Sequence, residues 1–249
     1  HEGRIRVAAG NLGTLSLSHC SSSLVLSAGL EIQAAPEGPN RELSVGVRKC
    51  ILAGIRLHPD IASLRVEDSL VGLPDDPSAD AIAAESTGLH LERSTVWGGV
   101  RSRMLHASEC ILLGLVEARR RQVGCVRYSW LPKSSVTPRQ FRCQPNVAIE
   151  EAGVEGTPME DSVILRVSPQ FASTDPFDPE FARLTGTAPF EIREGAEGGR
   201  EMGAFNALEE PLRRRFLQGA LDEYVRAGIQ AGLLFETTTP SIQYGPTLH

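Results

Sequence analysis

The sequence predicts a mainly β protein: a right-handed parallel β-helix (a β-solenoid) followed by a small irregular and helical C-terminal region. Three observations lead there. An octet returns after 16 residues, Leu89-His-Leu91-Glu-Arg-Ser94-Thr-Val96 answered by Leu105-His-Ala107-Ser-Glu-Cys110-Ile-Leu112. Its core, apolar-x-apolar-x-x-(Cys/Ser), occurs five times, ending at Cys20, Cys50, Ser69, Ser94 and Cys110. Between the copies lie turn-rich insertions, with no helical periodicity.

Alternation with period two describes strands with one buried face. The break in phase before each Cys or Ser marks a bend into a second short strand. An apolar residue two places later completes four copies, as Leu52, Val71, Val96 and Leu112. Intervals of 30, 19, 25 and 16 residues leave room for one compact coil each, and the longer ones carry "AAPEGPNRE" (34–42) and "GLPDDPSADAIAAESTG" (72–88) as outward loops. A β-sandwich would not require a small polar residue at one phase of every repeat, whereas a stacked interior column does. Immediately before that column stand His19, Lys49, Asp68, Arg93 and Glu109, alternating in sign from Lys49 onward. Opposite charges at strand spacing favour one another by ~0.2–1 kcal/mol per pair, enough to help hold register.

After Cys110 the repeat fades. "ARRRQ" (118–122) is a basic run that could meet an acidic partner but reads first as a solvated face, and "CVRYSWLP" (125–132) reads as a last apolar strand. The β-helix is therefore assigned to 1–132. Pro132, Pro138 and Pro145 exclude a central strand, so 133–173 reads as an extended connection containing strand-like "DSVILRVSP" (161–169). A C-terminal capping or docking region follows at 174–249. It opens with a short helix at "TDPFDPEFARLTG" (174–186) and a charged, Gly-rich loop over 190–206. One long helix then begins at Glu209–Pro211, where proline and acidic residues suit a helix start. Its apolar stripe, Leu212, Phe216, Ala220, Tyr224 and Gly228 flanked by Leu217, Leu221 and Val225, must bury against the open solenoid end or a partner subunit. Gly228 and Gly232 are expected to close it.

The whole chain restricts function. It has 249 residues, 41% of them apolar, with 22% charged and a net charge of −6. That mild acidity argues against a nucleic-acid partner, and aromatic residues at 5% leave little for a stacking groove. No apolar run approaches the ~20 residues of a membrane span. The chain starts at His1 and enters strand-like "GRIRVAAG" at once, as a fragment or processed product would. Five cysteines without a C-x-x-C spacing suggest buried free thiols, with Cys125–Cys143 the best disulfide option.

Candidate sites are few. His90 and His106 share an outward phase of adjacent coils and could hold a metal or exchange protons. No carboxylate shares their column, where Arg65 precedes them, so two surface histidines are expected and no cofactor is called for. An enzyme on this fold would be a pectin-lyase-like lyase or hydrolase, needing clustered carboxylates for Ca²⁺ or for acid–base work. Asp75, Asp76 and Asp80, near Glu67, Asp68 and Glu92, are the candidates, although "LPDDPSAD" reads first as a solvated turn. Trp97 and Trp130 could form a sugar platform, but packing is the more ordinary role. There is no G-x-S-x-G nucleophile and no phosphate loop.

"NLGTLSLSHC", "LHLERSTVWGGVRSRMLHASECILLG", "CVRYSWLP…TPRQFRCQP" and "EIREGAEGGREMGAFNALEEP…LDEYVRAGIQAGLLFET" resemble the C-terminal part of a family of large, uncharacterised bacterial β-solenoid proteins. That family is associated with gene neighbourhoods of phage-tail-like contractile particles. The resemblance implies a solenoid closed by a C-terminal segment, located in the bacterial cytoplasm or in an assembled particle. It carries no reaction and no catalytic residue. The expected function is a non-catalytic structural or binding module of a larger protein, meeting a protein partner or the parent's other domains, with a polysaccharide ligand as the alternative.

Overall fold

A computed structural model describes residues 5–7, 10–22, 30–32, 42–59, 61–74, 79–224 and 242–243. Residues Asp75 and Asp76, the helix end at 225–232 and the loop at 34–41 lie outside them.

The repeat folds into stacked parallel strands. Thr14–Ser18, Ser44–Arg48, Ser63–Glu67, the second half of Asp80–Glu92, the second half of Gly99–Ser108, and Gly124–Arg127 pair in sequence order, every pair parallel. Register follows the octets: Leu15, Val45, Leu64, Leu89 and Leu105 face one another in turn, as do Leu17, Val47, Val66, Leu91 and Ala107. A second set, Leu30–Ile32, Ile55–Leu57, the first half of Asp80–Glu92, the first half of Gly99–Ser108, and Val116–Ala118, belongs to the same 11-stranded sheet. A separate four-stranded parallel sheet contains Ile51–Leu52, Leu70–Gly72, Thr95–Trp97 and Ile111–Leu112, and stacks Leu52, Val71, Val96 and Leu112 in one column. The chain is thus mainly β with a large parallel sheet. Pairing of this kind fixes strand order and register, whereas the hand and closure of a solenoid depend on the turns between faces.

The stacked columns are the core. Val45, Val47, Leu64, Val66, Leu89, Leu91, Val96, Leu105 and Leu112 are all buried together. Removing one such side chain from water contributes roughly 1.5–3 kcal/mol, and repetition makes this the dominant stabilising term.

The corner explains the recurrent Cys or Ser. His19, Lys49, Asp68, Arg93 and Glu109 all have left-handed backbone, φ between 45° and 58°. Each turns the chain from one strand to the next. The following Cys or Ser points inward and satisfies two backbone groups. Its hydroxyl or thiol donates to the carbonyl two residues back: Ser69 to Glu67 at 2.6 Å, Ser94 to Glu92 at 2.9 Å, Cys110 to Ser108 at 3.1 Å. It also accepts the N–H of the corresponding Cys or Ser in the preceding row, as Ser69 does from Cys50 at 3.1 Å and Ser94 from Ser69 at 3.3 Å. A buried backbone N–H needs an acceptor, and only a small side chain with both donor and acceptor character fits.

Two further rows escape the sequence pattern. Tyr128 and Arg142 have the same left-handed backbone, and Ser129 and Cys143 the same corner bonds. The Cys110 N–H reaches Ser129 Oγ at 3.0 Å, and the Cys143 thiol donates to the Phe141 carbonyl two residues back, as the earlier corner residues do. The corner column therefore continues from Cys20 to Cys143. The stretch expected to leave the sheet instead adds Gln140–Phe141, paired in parallel with Gly124–Arg127. A two-residue strand fits between Pro138 and Pro145 without asking either proline for an N–H. Here Gln140 takes the place that Leu91, Ala107 and Val126 hold earlier. Its side chain bonds Thr137 and Asn146, where helix α1 (Asn146–Ala152) begins.

Beyond this point several local expectations change. The strand-like segment 161–169 is mostly helix α2 (Glu160–Arg166). Its Val, Ile and Leu suggest a strand, but acidic Glu160 and Asp161 open a helical turn and within the helix only Ile164 is buried. The short helix expected at 174–186 is a series of turns, because Asp175 and Asp178 side chains bond the N–H groups of Phe177 and Glu180. The Gly-rich loop contains a brief helix α3 (Phe190–Arg193). The long helix is present as α4 (Glu210–Tyr224).

This C-terminal region packs against the flank of the four-stranded sheet. Trp97, 1% exposed, meets Phe171 at 4.6 Å and Phe181 at 6.4 Å between ring centroids. Leu70, Ile111, Trp130, Ile192 and Met202 complete a second core. The two tryptophans are therefore packing residues, and no sugar platform is available from them. The Gly203 N–H donates to the Glu109 carbonyl at 2.8 Å, and the Ala204 N–H to Thr95 Oγ1 at 3.1 Å, fixing the region to two rows. Helix α4 departs from its expected burial: Phe216 is 77% exposed and Leu217 49%.

Candidate functional site

The outward face of the large sheet gathers the residues singled out by the repeat. Arg65, His90, His106 and Cys125 stand in one register column. The two imidazoles stack with centroids 4.8 Å apart and planes 5° from parallel. Burial first, then His106 and Arg65, holds the His90 imidazole below its ordinary pKa. Parallel rings direct their lone pairs alongside one another. Two zinc–nitrogen bonds would span only about 4.2 Å, so the pair as placed does not converge on one ion. Among the described residues no group of three His, Cys, Asp or Glu is arranged to hold a metal. All five cysteines are free, and the Cys143 thiol donates to Val126 and Phe141 carbonyls instead of pairing with Cys125.

Beside the histidines the carboxylates are already engaged. Arg93 Nε lies 2.6 Å from Asp68 and the same guanidinium binds Glu92. Arg65 spans Glu67 and Glu92, the latter at 3.2 Å. The alternating corner charges are thus partly realised, since Asp68 and Arg93 are neighbours in that column. Asp80, on the opposite strand set, lies 3.4 Å from Arg101, which also faces Glu85 and Glu117 at 3.6 and 3.9 Å. The structure brings Glu67, Asp68 and Glu92 together and places Asp80 with a different group.

Two concave features belong to the C-terminal region, and neither was expected from the sequence. An open groove of about 1030 Å³ runs between the last rows and the region's loops, lined in part by Tyr128, Arg142, Gln144, Phe190 and the Arg166–Glu191 ion pair. A smaller cavity of about 130 Å³ lies under the first turn of α4. It is lined by Arg183, Arg193, Arg214, Arg215, Glu194, Glu201 and Glu210, together with Thr185 and Leu184. Within it Glu210 lies 3.2 Å from Arg214, and Glu194 pairs with Arg215. Glu201 is buried, and desolvation pushes its carboxyl up to about 7 against the opposing pull of Arg183, Arg214 and Arg193. The sequence signal for this cavity was thin. "IREGAEGGRE" and "LRRR" are two charged stretches that read as surface until the fold sets them face to face.

Compared with protein-family models, with curated proteins and with solved structures, the chain finds no match. Among the described residues, no helix is long and apolar enough to cross a membrane.

Proposed function

We propose that this chain is a non-catalytic structural or binding module of a larger bacterial protein, built as a right-handed parallel β-helix and accessory to a phage-tail-like assembly in the cytoplasm or in the particle itself. The observation that carries the reading is the corner column from Cys20 to Cys143, in which the N–H groups of Cys20, Cys50, Ser69 and Cys110 each donate to the side chain of the next row. Rows held at ~4.8 Å by such links form a stiff shaft with long, uniform faces, suited to bearing load or presenting a repetitive surface. The exposed run Arg119–Arg121 supplies a basic edge for an acidic protein partner.

The polysaccharide lyase or hydrolase reading draws less support. Glu67, Asp68, Glu92 and Asp80 face arginines, and a catalytic carboxylate has to face its substrate.

The test is capture of the full-length parent from its native cells, followed by mass spectrometry and negative-stain imaging. Recovery with sheath, tube or baseplate-like proteins supports the module reading. Recovery as a free protein that cleaves a polysaccharide, with the cleavage lost in Asp80→Asn, overturns it.

A further inference from the structure

We infer that the cavity beneath α4 is a binding pocket for a single oxyanion group, a phosphate, sulfate or carboxylate, gripped by Arg183 and Arg193. The inference is independent of what the β faces contact.

Charge is the first argument. Four guanidiniums and three carboxylates line the cavity. Arg214 and Arg215 are matched by Glu210 and Glu194, which leaves Arg183 and Arg193 facing Glu201 alone. A guanidinium does not lose its proton in a protein. The lining therefore carries one positive charge in excess when Glu201 is ionised and two when it is protonated. Partly buried cationic charge of this kind calls for a counter-ion.

Hydrogen bonding is the second. Arg193 Nη1 donates to the Gly186 carbonyl at 2.7 Å, but its Nε is buried without an acceptor. Among the described residues no carboxylate lies within ion-pair distance of Arg183 or Arg193, and no basic group within that distance of Glu201. An oxyanion in the cavity would take the Arg193 Nε–H and the Arg183 fork in the planar geometry that guanidinium prefers.

Size is the third. About 130 Å³ is the share of roughly four liquid waters. That admits one tetrahedral oxyanion group with a water. A cation is disfavoured by the four arginines.

Glu201 then sets the pH response. It faces Arg183 and Arg193 from the loops, and Glu210 and Arg214 from α4. Protonated, it donates to the anion; ionised, it competes for the same guanidiniums. Anion binding is accordingly coupled to one proton on Glu201.

The test is titration calorimetry of the 249-residue chain with sodium sulfate at about pH 6, 7 and 8, at constant ionic strength. Sulfate is the informative probe, because phosphate itself titrates in this range. The expected result is binding whose dissociation constant rises toward tenfold per pH unit above about pH 7. Arg183→Gln and Arg193→Gln, shown to be folded by circular dichroism, each weaken it at least tenfold. Glu201→Gln, which keeps the volume, binds with an affinity independent of pH. Parallel titrations with phosphate and acetate then decide which oxyanion fits best. The inference is overturned if neither the native chain nor Glu201→Gln binds any of the three at about 10 mM. It is equally overturned if both arginine variants bind unchanged, or if Glu201→Gln keeps the native pH slope.

Discussion

The backbone N–H of Cys110 donates to Oγ of Ser129, 3.0 Å away in the next row, while the same hydroxyl donates to the Arg127 carbonyl at 2.8 Å. Ser129 is wholly buried. Removing the hydroxyl leaves the Cys110 N–H without an acceptor in the core, while the Arg127 carbonyl keeps the Glu109 N–H at 3.0 Å. Ser129→Ala is therefore expected to lower stability by about 1–3 kcal/mol in urea denaturation. Ser129→Cys keeps both bonds, as Cys50 does at its own corner, and should cost clearly less. Equal losses in the two variants would mean that volume, not hydrogen bonding, selects the residue.

Trp97 joins the four-stranded sheet to the C-terminal region through Phe171 and Phe181. Trp97→Ala is expected to cost about 3–5 kcal/mol, and limited proteolysis should then cut first within 146–224, ahead of the β rows. Trp97→Phe retains part of the ring contact and should show slower cutting. Unchanged proteolysis of the alanine variant would show that the two cores are not coupled through this residue.

The part of the fold that could be read in the sequence is the part built by repetition. The octets placed Leu89 opposite Leu105 and His90 opposite His106, as found, because a period-two pattern repeated in phase admits one register. The corner chemistry was half legible: a small polar residue was required, but the left-handed backbone of Lys49 or Arg93 was invisible because no glycine marks it. The last two rows escaped because Gly124 and Gln140 replace the apolar residues that define the pattern. The C-terminal region escaped because its core is assembled from single residues far apart in sequence, such as Trp97 with Phe171. The cavity around Glu201 is harder still. Arginines and glutamates that look like surface charge acquire meaning only when four separate stretches meet.

Thiol reactivity provides a direct reading of the corner ladder. The Cys110 thiol is pushed up to about 12 by burial, and burial likewise raises Cys50 and Cys143. The thiolate is the reactive form, so these three should resist a short iodoacetamide pulse at neutral pH. Cys20 and Cys125 are half-exposed and should be labelled first, as read by peptide mass spectrometry. Labelling of Cys110 at the rate of Cys125 in the folded chain would contradict a closed interior column.

Glu201 gives the stability of the chain a pH dependence of known sign. Its carboxyl titrates near 7 in the folded state, against 4.5 for the unperturbed group. Between those values the folded chain holds a proton that the unfolded chain has released. Stability therefore falls as pH rises through this window and levels off above about 7. The full effect is on the order of 3 kcal/mol. Buried Glu109, whose carboxyl is also raised by desolvation, acts in the same direction. Glu201→Gln removes the titrating group while keeping its shape, so the variant should match the native chain near pH 5 and exceed it near pH 8 in urea denaturation. Sulfate bound in the cavity should widen that gap near pH 8, because it binds Glu201→Gln at full affinity and the ionised native carboxyl only weakly. A native chain whose stability rises from pH 5 to pH 8, with Glu201→Gln following the same curve, would show that Glu201 is ionised throughout and paired with its arginines.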